Sequence, residues 1–530
     1  MNVFMIAREY AGIAEAGGVK NVVCSLSETL ADSGCNVTAF IPYYGCTDTS
    51  LLSSYTRLSL KISVKTAGNE EKISFSRGRL NGVDIIFIHH PAFTEKKGVY
   101  TYTLEEEKEN PSFKKGQGHK DTLLLNSIFQ KGLVSAAKEL NLDKPDIIHC
   151  HDATAALVPV FIAQAMKDSS ELKEYYKKAR SIVTIHNAGP GYHHEYSTLK
   201  EALFYTALPE KTLLKGLSSG NRIEPFILAA DYSLVTAVSP WYAREITEGK
   251  TDTDGLSEAF KRKNVRIEGI INGIDPERYN PENPQHSRLP YSFAPEKHDL
   301  AGKYQCRNYF LNEYASKLSA DKNLKRGIIQ YGFLDKAEDN IPCLTYHGRI
   351  AHQKGIDIAA GAARRLLEQK LDLRFIFAGQ GSPELEEEFV KIARDFPGKA
   401  VYLKGYTREM ARLSVVAADF SLHPSYFEPC GLEDFIAQLY GTIPVANATG
   451  GLKKILDEET GFLYSPNTAE KLSEVLYSLI KIRSIPGFNI FTSMVAWASK
   501  YVKETYSWKN VTEKMYLPLY KSLLEGKKDC

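Results

Sequence analysis

The stretch SLHPSYFEPCGL, residues 421–432, decides how the rest of the chain is read. A short strand is expected over 420–423, then a turn marked by Pro424 and Pro429, then a helix over 431–440. That order puts Glu428 at the C-terminal end of a strand, where open α/β sheets bind their ligands. A carboxylate there accepts directional hydrogen bonds from sugar hydroxyls. The N–H groups that open a helix at Gly431 can meet phosphate or sugar oxygens. A helix start capped by its own Glu428 accounts for the same residues, so the meaning of the stretch depends on its company.

Working outward, strand and helix alternate through both halves. Strands are expected over 3–7, 37–41, 83–89, 146–150, 181–186 and 233–238, and again over 343–348, 373–378, 401–403 and 443–446. Several are continuously apolar, as strands buried on both faces must be. Helices are expected over 19–33, 121–140, 355–369 and 384–395. Two such series imply an α/β protein with two Rossmann-like doubly wound domains facing a cleft. INGIDPERYNP (271–281) breaks the periodicity between them, so the domains are expected at 1–270 and 271–505, with a C-terminal helix in 506–530. The polar stretch 282–340 is given one helix, over 307–318. Pro518 is expected to kink the last helix.

Composition removes several classes. The 530 residues are 43% hydrophobic and 25% charged, with a net charge of +2, which leaves no electrostatic footprint for nucleic acid or an anionic membrane. No apolar run approaches the ~18 residues of a membrane helix, and MNVFMIAREY reads as a first buried strand, not a signal peptide. The eight cysteines form no C-x-x-C pair and no His cluster at ligand spacing. Free thiols, a cytoplasmic location and no metal site are therefore expected.

Other strand ends carry polar residues. YHGRIAHQKGID (346–357) sets Arg349 and Lys354 after a strand, where a guanidinium fork and an ammonium could grip a diphosphate; two solvated loop charges explain it equally well. DIIHCHD (146–152) ends with His149, His151 and Asp152, and SIVTIHN (181–187) with His186. Gly17-Gly18 and Thr449-Gly450-Gly451 place paired glycines at helix starts, where free N–H groups favour anions. Gly379-Gln380-Gly381 lacks the third glycine of a dinucleotide fingerprint.

Together, PSYFEPCGL, YGTIPVANATGG (440–451), the Arg349/Lys354 loop, His186-Asn187, VSPWYAREI (238–246) and NGID (272–275) resemble the bacterial glycogen synthases and plant starch synthases. The resemblance runs, with gaps, from Met1 to about Trp508. It implies a GT-B glycosyltransferase that moves glucose, with retention, from ADP-glucose or less often UDP-glucose to an α-1,4-glucan. It further implies that no metal or other cofactor takes part, and that the last helix packs back on the first domain. By the same resemblance Arg349 and Lys354 neutralise the diphosphate and Glu428 orients the donor glucose. Cys430, Gly431, Leu432, Thr449, Gly450, Gly17 and Gly18 line the donor site. Tyr406 stacks on the base, Asn272 lies near the junction, and His186 and Asp152 stand by the sugar.

The chain departs from that pattern. Glu15 and Asn21 replace a Lys and an Asp in the Gly-Gly segment, Ala153-Thr154 replaces Trp-His, and Asn447-Ala448 replaces two arginines. A transferase with another sugar nucleotide or acceptor, and a glucan-binding homologue with weak activity, are the alternatives these changes keep open.

Overall fold

The computed structural model describes residues 1–336, 338–483 and 490–526. The chain forms two compact units, Met1–Gly273 with Trp508–Cys530, and Ile274–Ser507.

In the first unit the strands are β1 (Asn2–Ile6), β2 (Asn36–Pro42), β3 (Ser53–Thr66), β4 (Asn69–Leu80), β5 (Val83–His89), β6 (Ile147–His151), β7 (Arg180–Ile185), β8 (Leu234–Ala237) and β9 (Ile267–Gly269). They pair in the order β3-β4-β5-β2-β1-β6-β7-β8-β9. From β5 to β9 every pairing is parallel. The direction of winding reverses at β1, whose neighbours are β2 and β6. Val3, Met5 and Ile6 are fully buried, as are Ile147 and Cys150. Each such side chain contributes about 2 kcal/mol of burial. The helix Val19–Asp32 covers one face through Val22, Val23, Leu26 and Leu30, the three-and-four spacing of an amphipathic stripe.

The second unit holds β10 (Ile329–Leu334), β11 (Cys343–His347), β12 (Arg374–Gly379), β13 (Lys399–Lys404), β14 (Phe420–His423), β15 (Ile443–Asn447) and β16 (Phe462–Tyr464). Their order is β10-β13-β12-β11-β14-β15-β16, and the winding reverses between β11 and β14. The helix Ile356–Glu368 packs through Ile356, Ala359, Ala363, Leu366 and Leu367.

Three features differ from the sequence reading. The hairpin β3–β4 and the edge strand β10 add antiparallel strands that no apolar run announced. The helix read at 307–318 spans Ala301–Phe310 and closes in a wide π-type turn over Leu311–Ala315; the Asp299 carboxylate accepts from the Ala301 N–H at its start. Near the C-terminus, a π-type turn over Thr512–Tyr516 precedes the helix Leu517–Leu524, so Pro518 falls in a first turn, where its missing N–H costs little.

Candidate active site

In the second unit the reversal point brings two loops together. β11 ends at His347, and the chain passes Arg349 into a single turn over His352–Lys354. Gly355 then opens the next helix at φ 65°, and a side chain there would meet the Pro424 carbonyl at 2.0 Å. That close approach lets the loop after β11 lie on the loop after β14. Lys354 Nζ consequently sits 2.5 Å from Glu428 Oε2, which also accepts from Ser425 Oγ at 3.0 Å. Burial pushes the Glu428 carboxyl up, but Lys354 and Ser425 outweigh it and hold the group below its ordinary value. Arg349 is exposed, its carbonyl accepting from Tyr346 Oη at 2.7 Å, and no described carboxylate pairs with its guanidinium.

The turn at 428–432 is locked to the turn at 449–454. Gly451 N–H donates to the Glu428 carbonyl at 2.7 Å, and a side chain at Gly451 would meet Cys430 backbone atoms at 2.2–2.5 Å. Lys454, fully buried, donates to the carbonyls of Cys430 (2.7 Å), Gly431 (3.0 Å) and Gly451 (3.3 Å) and pairs with Asp434 at 2.8 Å. Asn447 donates to the Ser425 carbonyl at 2.9 Å. The helix read from Gly431 begins instead at Glu433, with Leu432 as its N-cap. Gly450–Lys454 is a single tight turn and not the start of a longer helix. Tyr406 follows β13 and is 63% exposed.

In the first unit a polar column crosses the sheet face. Met5 pairs with His149 in register, and His151 pairs with Thr184, which pairs with Thr236. Side chains two apart share a face, so Met5, His149, His151 and Thr184 line up. His149 contacts Tyr520 Oη at 2.7 Å and Thr184 Oγ1 at 2.6 Å. His151 Nδ1 lies 2.9 Å from His186 Nε2. Asp152, at φ 61°, accepts from the His186 N–H at 2.8 Å. Burial pushes His149 and His186 down to about 3, and His151 well below its usual range. Burial also lifts Asp152 to about 7, with Glu9 adding to the rise.

The Gly17-Gly18 turn is not the open anion nest its sequence suggests. Glu9 Oε2 accepts from the N–H groups of Ala16 (3.0 Å) and Gly17 (2.7 Å). Glu15 accepts from Gly12 N–H at 2.8 Å and pairs with Lys20 at 3.1 Å. Asn272 is buried, and its amide oxygen has no partner among the described residues.

Known proteins share this arrangement of parts. Residues 2–262 match the family profile described as starch synthase catalytic domain, and 341–481 match glycosyl transferases group 1. A glycogen synthase of Thermodesulfovibrio yellowstonii is 27% identical over 99% of this chain and 98% of its own length. One from Bacillus cereus is 26% identical over 99% and 100%. The starch synthase IV catalytic domain of Arabidopsis thaliana superposes with a TM-score of 0.78 at 26% identity, covering 99% of both chains. The chain belongs to the glycogen and starch synthase family.

Like other members it is a glycosyltransferase, and its two doubly wound units are those of the GT-B class. A sucrose-phosphate synthase from Thermosynechococcus elongatus, at 15% identity and a TM-score of 0.52, shares the fold. Within this synthase-family chain the structure joins Lys354, Glu428, Cys430, Gly431 and Gly450 with neighbouring residues in one cluster of the second unit. Asp152 and His186 form another in the first. Sequence reasoning missed the Lys454–Asp434 pair and the Met5 and Tyr520 contacts, because each depends on chain crossings that no local pattern encodes. Among the described residues, no helix is long and apolar enough to cross a membrane.

Proposed function

We infer that this chain lengthens an α-1,4-glucan by retaining transfer of glucose from ADP-glucose. The observation that carries the reading is the Glu428–Lys354 ion pair at the β11/β14 reversal, with Arg349 on the same loop after β11, built on the motif that marks the family. An ionised carboxylate accepts from glucose hydroxyls in strong, oriented bonds. Arg349 and Lys354 supply positive charge for the departing diphosphate, a preorganised electrostatic stabilisation that acts without a metal. The Arabidopsis starch synthase IV structure is described as bound to ADP and acarbose, which supports ADP as the nucleotide.

The anomeric C–O bond to the diphosphate breaks, the departing phosphate oxygen takes the proton of the glucan 4-OH, and that 4-oxygen bonds to the anomeric carbon on the same face, so the configuration is retained. Cys430, Gly431, Leu432, Thr449 and Gly450 shape the donor pocket, and Tyr406 offers a face to the base. Asp152 and His186 address the sugar. In the first unit the Gly17 N–H is already taken by Glu9, so it offers a phosphate no free backbone donor.

The test is a donor panel of ADP-, UDP- and GDP-glucose with glycogen as acceptor and radiolabel incorporation as readout. ADP-glucose is expected to be the fastest donor. Incorporation from none of the three would overturn the assignment, and a preference for UDP-glucose would replace the donor while keeping the reaction.

A further inference from the structure

His186 shares a hydrogen bond with His151 that can be drawn in two ways, with opposite consequences for what His186 offers a ligand. One nitrogen of the pair must donate and the other accept. The choice is made at the far side of His151, where its Nε2 lies 2.8 Å from Met5 Sδ. A thioether sulfur has lone pairs and no hydrogen, so it can only accept. An unprotonated Nε2 would set one lone pair against another at that distance. His151 therefore carries its proton on Nε2. Being neutral, through the burial described above, it has no second proton and must accept at Nδ1. His186 Nε2 is then the donor, and His186 Nδ1 bears a lone pair.

The ring planes that make this relay possible are fixed by packing. His151 stacks on His149 with centroids 4.4 Å apart, and His149 is held by Tyr520 and Thr184. Met5 is fully buried in β1 and cannot swing away. His186 is half-buried, and no described residue hydrogen-bonds to its Nδ1.

We propose that Met5 and His151 are positioning residues that fix the tautomer of His186, so that His186 meets a sugar hydroxyl as a hydrogen-bond acceptor through Nδ1. The proposal rests on the assignment of His186 to the sugar, and it adds the direction of the hydrogen bond. A donor hydroxyl fits this nitrogen; a ring or carbonyl oxygen, which can only accept, does not.

The experiment is selective 15N-histidine labelling of the full chain, with two-bond 15N–1H correlations to show which ring nitrogen is protonated. Assignments come from His151→Asn and His186→Asn. At neutral pH the wild type should show Nε2–H for both His151 and His186. An Nδ1–H pattern at His186 overturns the proposal. Met5→Leu conserves volume but removes the acceptor. It should mix the tautomers of both rings and lower turnover about tenfold to a hundredfold, below the ~10⁴ lost when a wrongly protonated histidine is itself the proton carrier. KM for ADP-glucose should change less than about threefold, because the lost term is orientation and not ground-state binding. Unchanged tautomers in Met5→Leu likewise overturn the role of Met5. The spectra need no activity, so a wild type that transfers no glucose but shows Nε2–H at both rings would sink the functional reading and leave the relay standing.

Discussion

The two strand-end clusters handle buried ionisable groups in opposite ways. In the second unit carboxylate charge is kept by pairing, Glu428 with Lys354 and Asp434 with Lys454, and His347 Nδ1 lies 3.3 Å from Glu433. Burial alone would push Glu428 and Glu433 up, yet their partners hold both below the ordinary carboxylate value. In the first unit charge is shed. Three histidines are held neutral, Asp152 is lifted to about 7, and burial raises Glu9 despite its two backbone donors. A cluster of fixed charges offers a substrate charge-assisted, oriented bonds, whereas one of neutral donors and acceptors suits uncharged hydroxyls. The contrast gives the strand ends of each unit a different kind of polar surface.

The largest expected effect breaks the charged side. Glu428→Ala, and separately Arg349→Ala, should lower glucosyl transfer from ADP-glucose by about 10³-fold, near 4 kcal/mol of transition-state stabilisation. Circular dichroism should be unchanged, and wild-type-like transfer in either variant would remove the role assigned to that residue. Next comes the buried pair. Lys454→Met strands the Asp434 carboxylate and should cost about 3–5 kcal/mol in unfolding free energy. Adding Asp434→Asn should recover part of that loss, and a strictly additive double mutant would show that the two are not coupled.

A smaller change adds charge where the first unit is poor in it. Glu15→Lys loses an exposed ion pair worth under about 1 kcal/mol and should lower the KM for ADP-glucose about threefold. An unchanged KM counts against any phosphate role for position 15. A last test, read through pH, concerns the neutral state of Asp152. Its folded value lies above its unfolded one, so its contribution is complete at acid pH and lost as pH rises through about 7. Asp152→Asn removes that titration and tolerates the left-handed backbone. Its melting temperature relative to wild type should therefore climb between about pH 4 and pH 7 and level off above; a constant difference would mean that Asp152 ionises at its ordinary value.

Much of this was legible in the sequence where chemistry is local. The β14 turn, Glu428 and the Arg349/Lys354 loop each lie within a dozen residues of a readable strand, and the apolar runs of β11 and β12 announce a doubly wound sheet. The hairpin β3–β4 was not legible: β3 is exposed along most of its length, and its turn is Ala67-Gly68, not the Asn-Gly pair that signals a hairpin. Lys454 reads as one of two surface lysines until the fold buries it against the Cys430 turn. His149 reads as a strand-end histidine until a tyrosine 371 residues away reaches it. Pairings of that span are set by topology, and no window of sequence contains both partners.

The backbone contact between Gly451 and Cys430 has a bearing on engineering. With room for no more than a hydrogen atom between the two turns, and one ammonium fastened to both, neither turn is a module in its own right. Grafting 424–432 into another transferase to alter sugar preference would require 447–454 to travel with it, down to the lysine. Libraries that randomise only the first segment would then be sampling half of a single part.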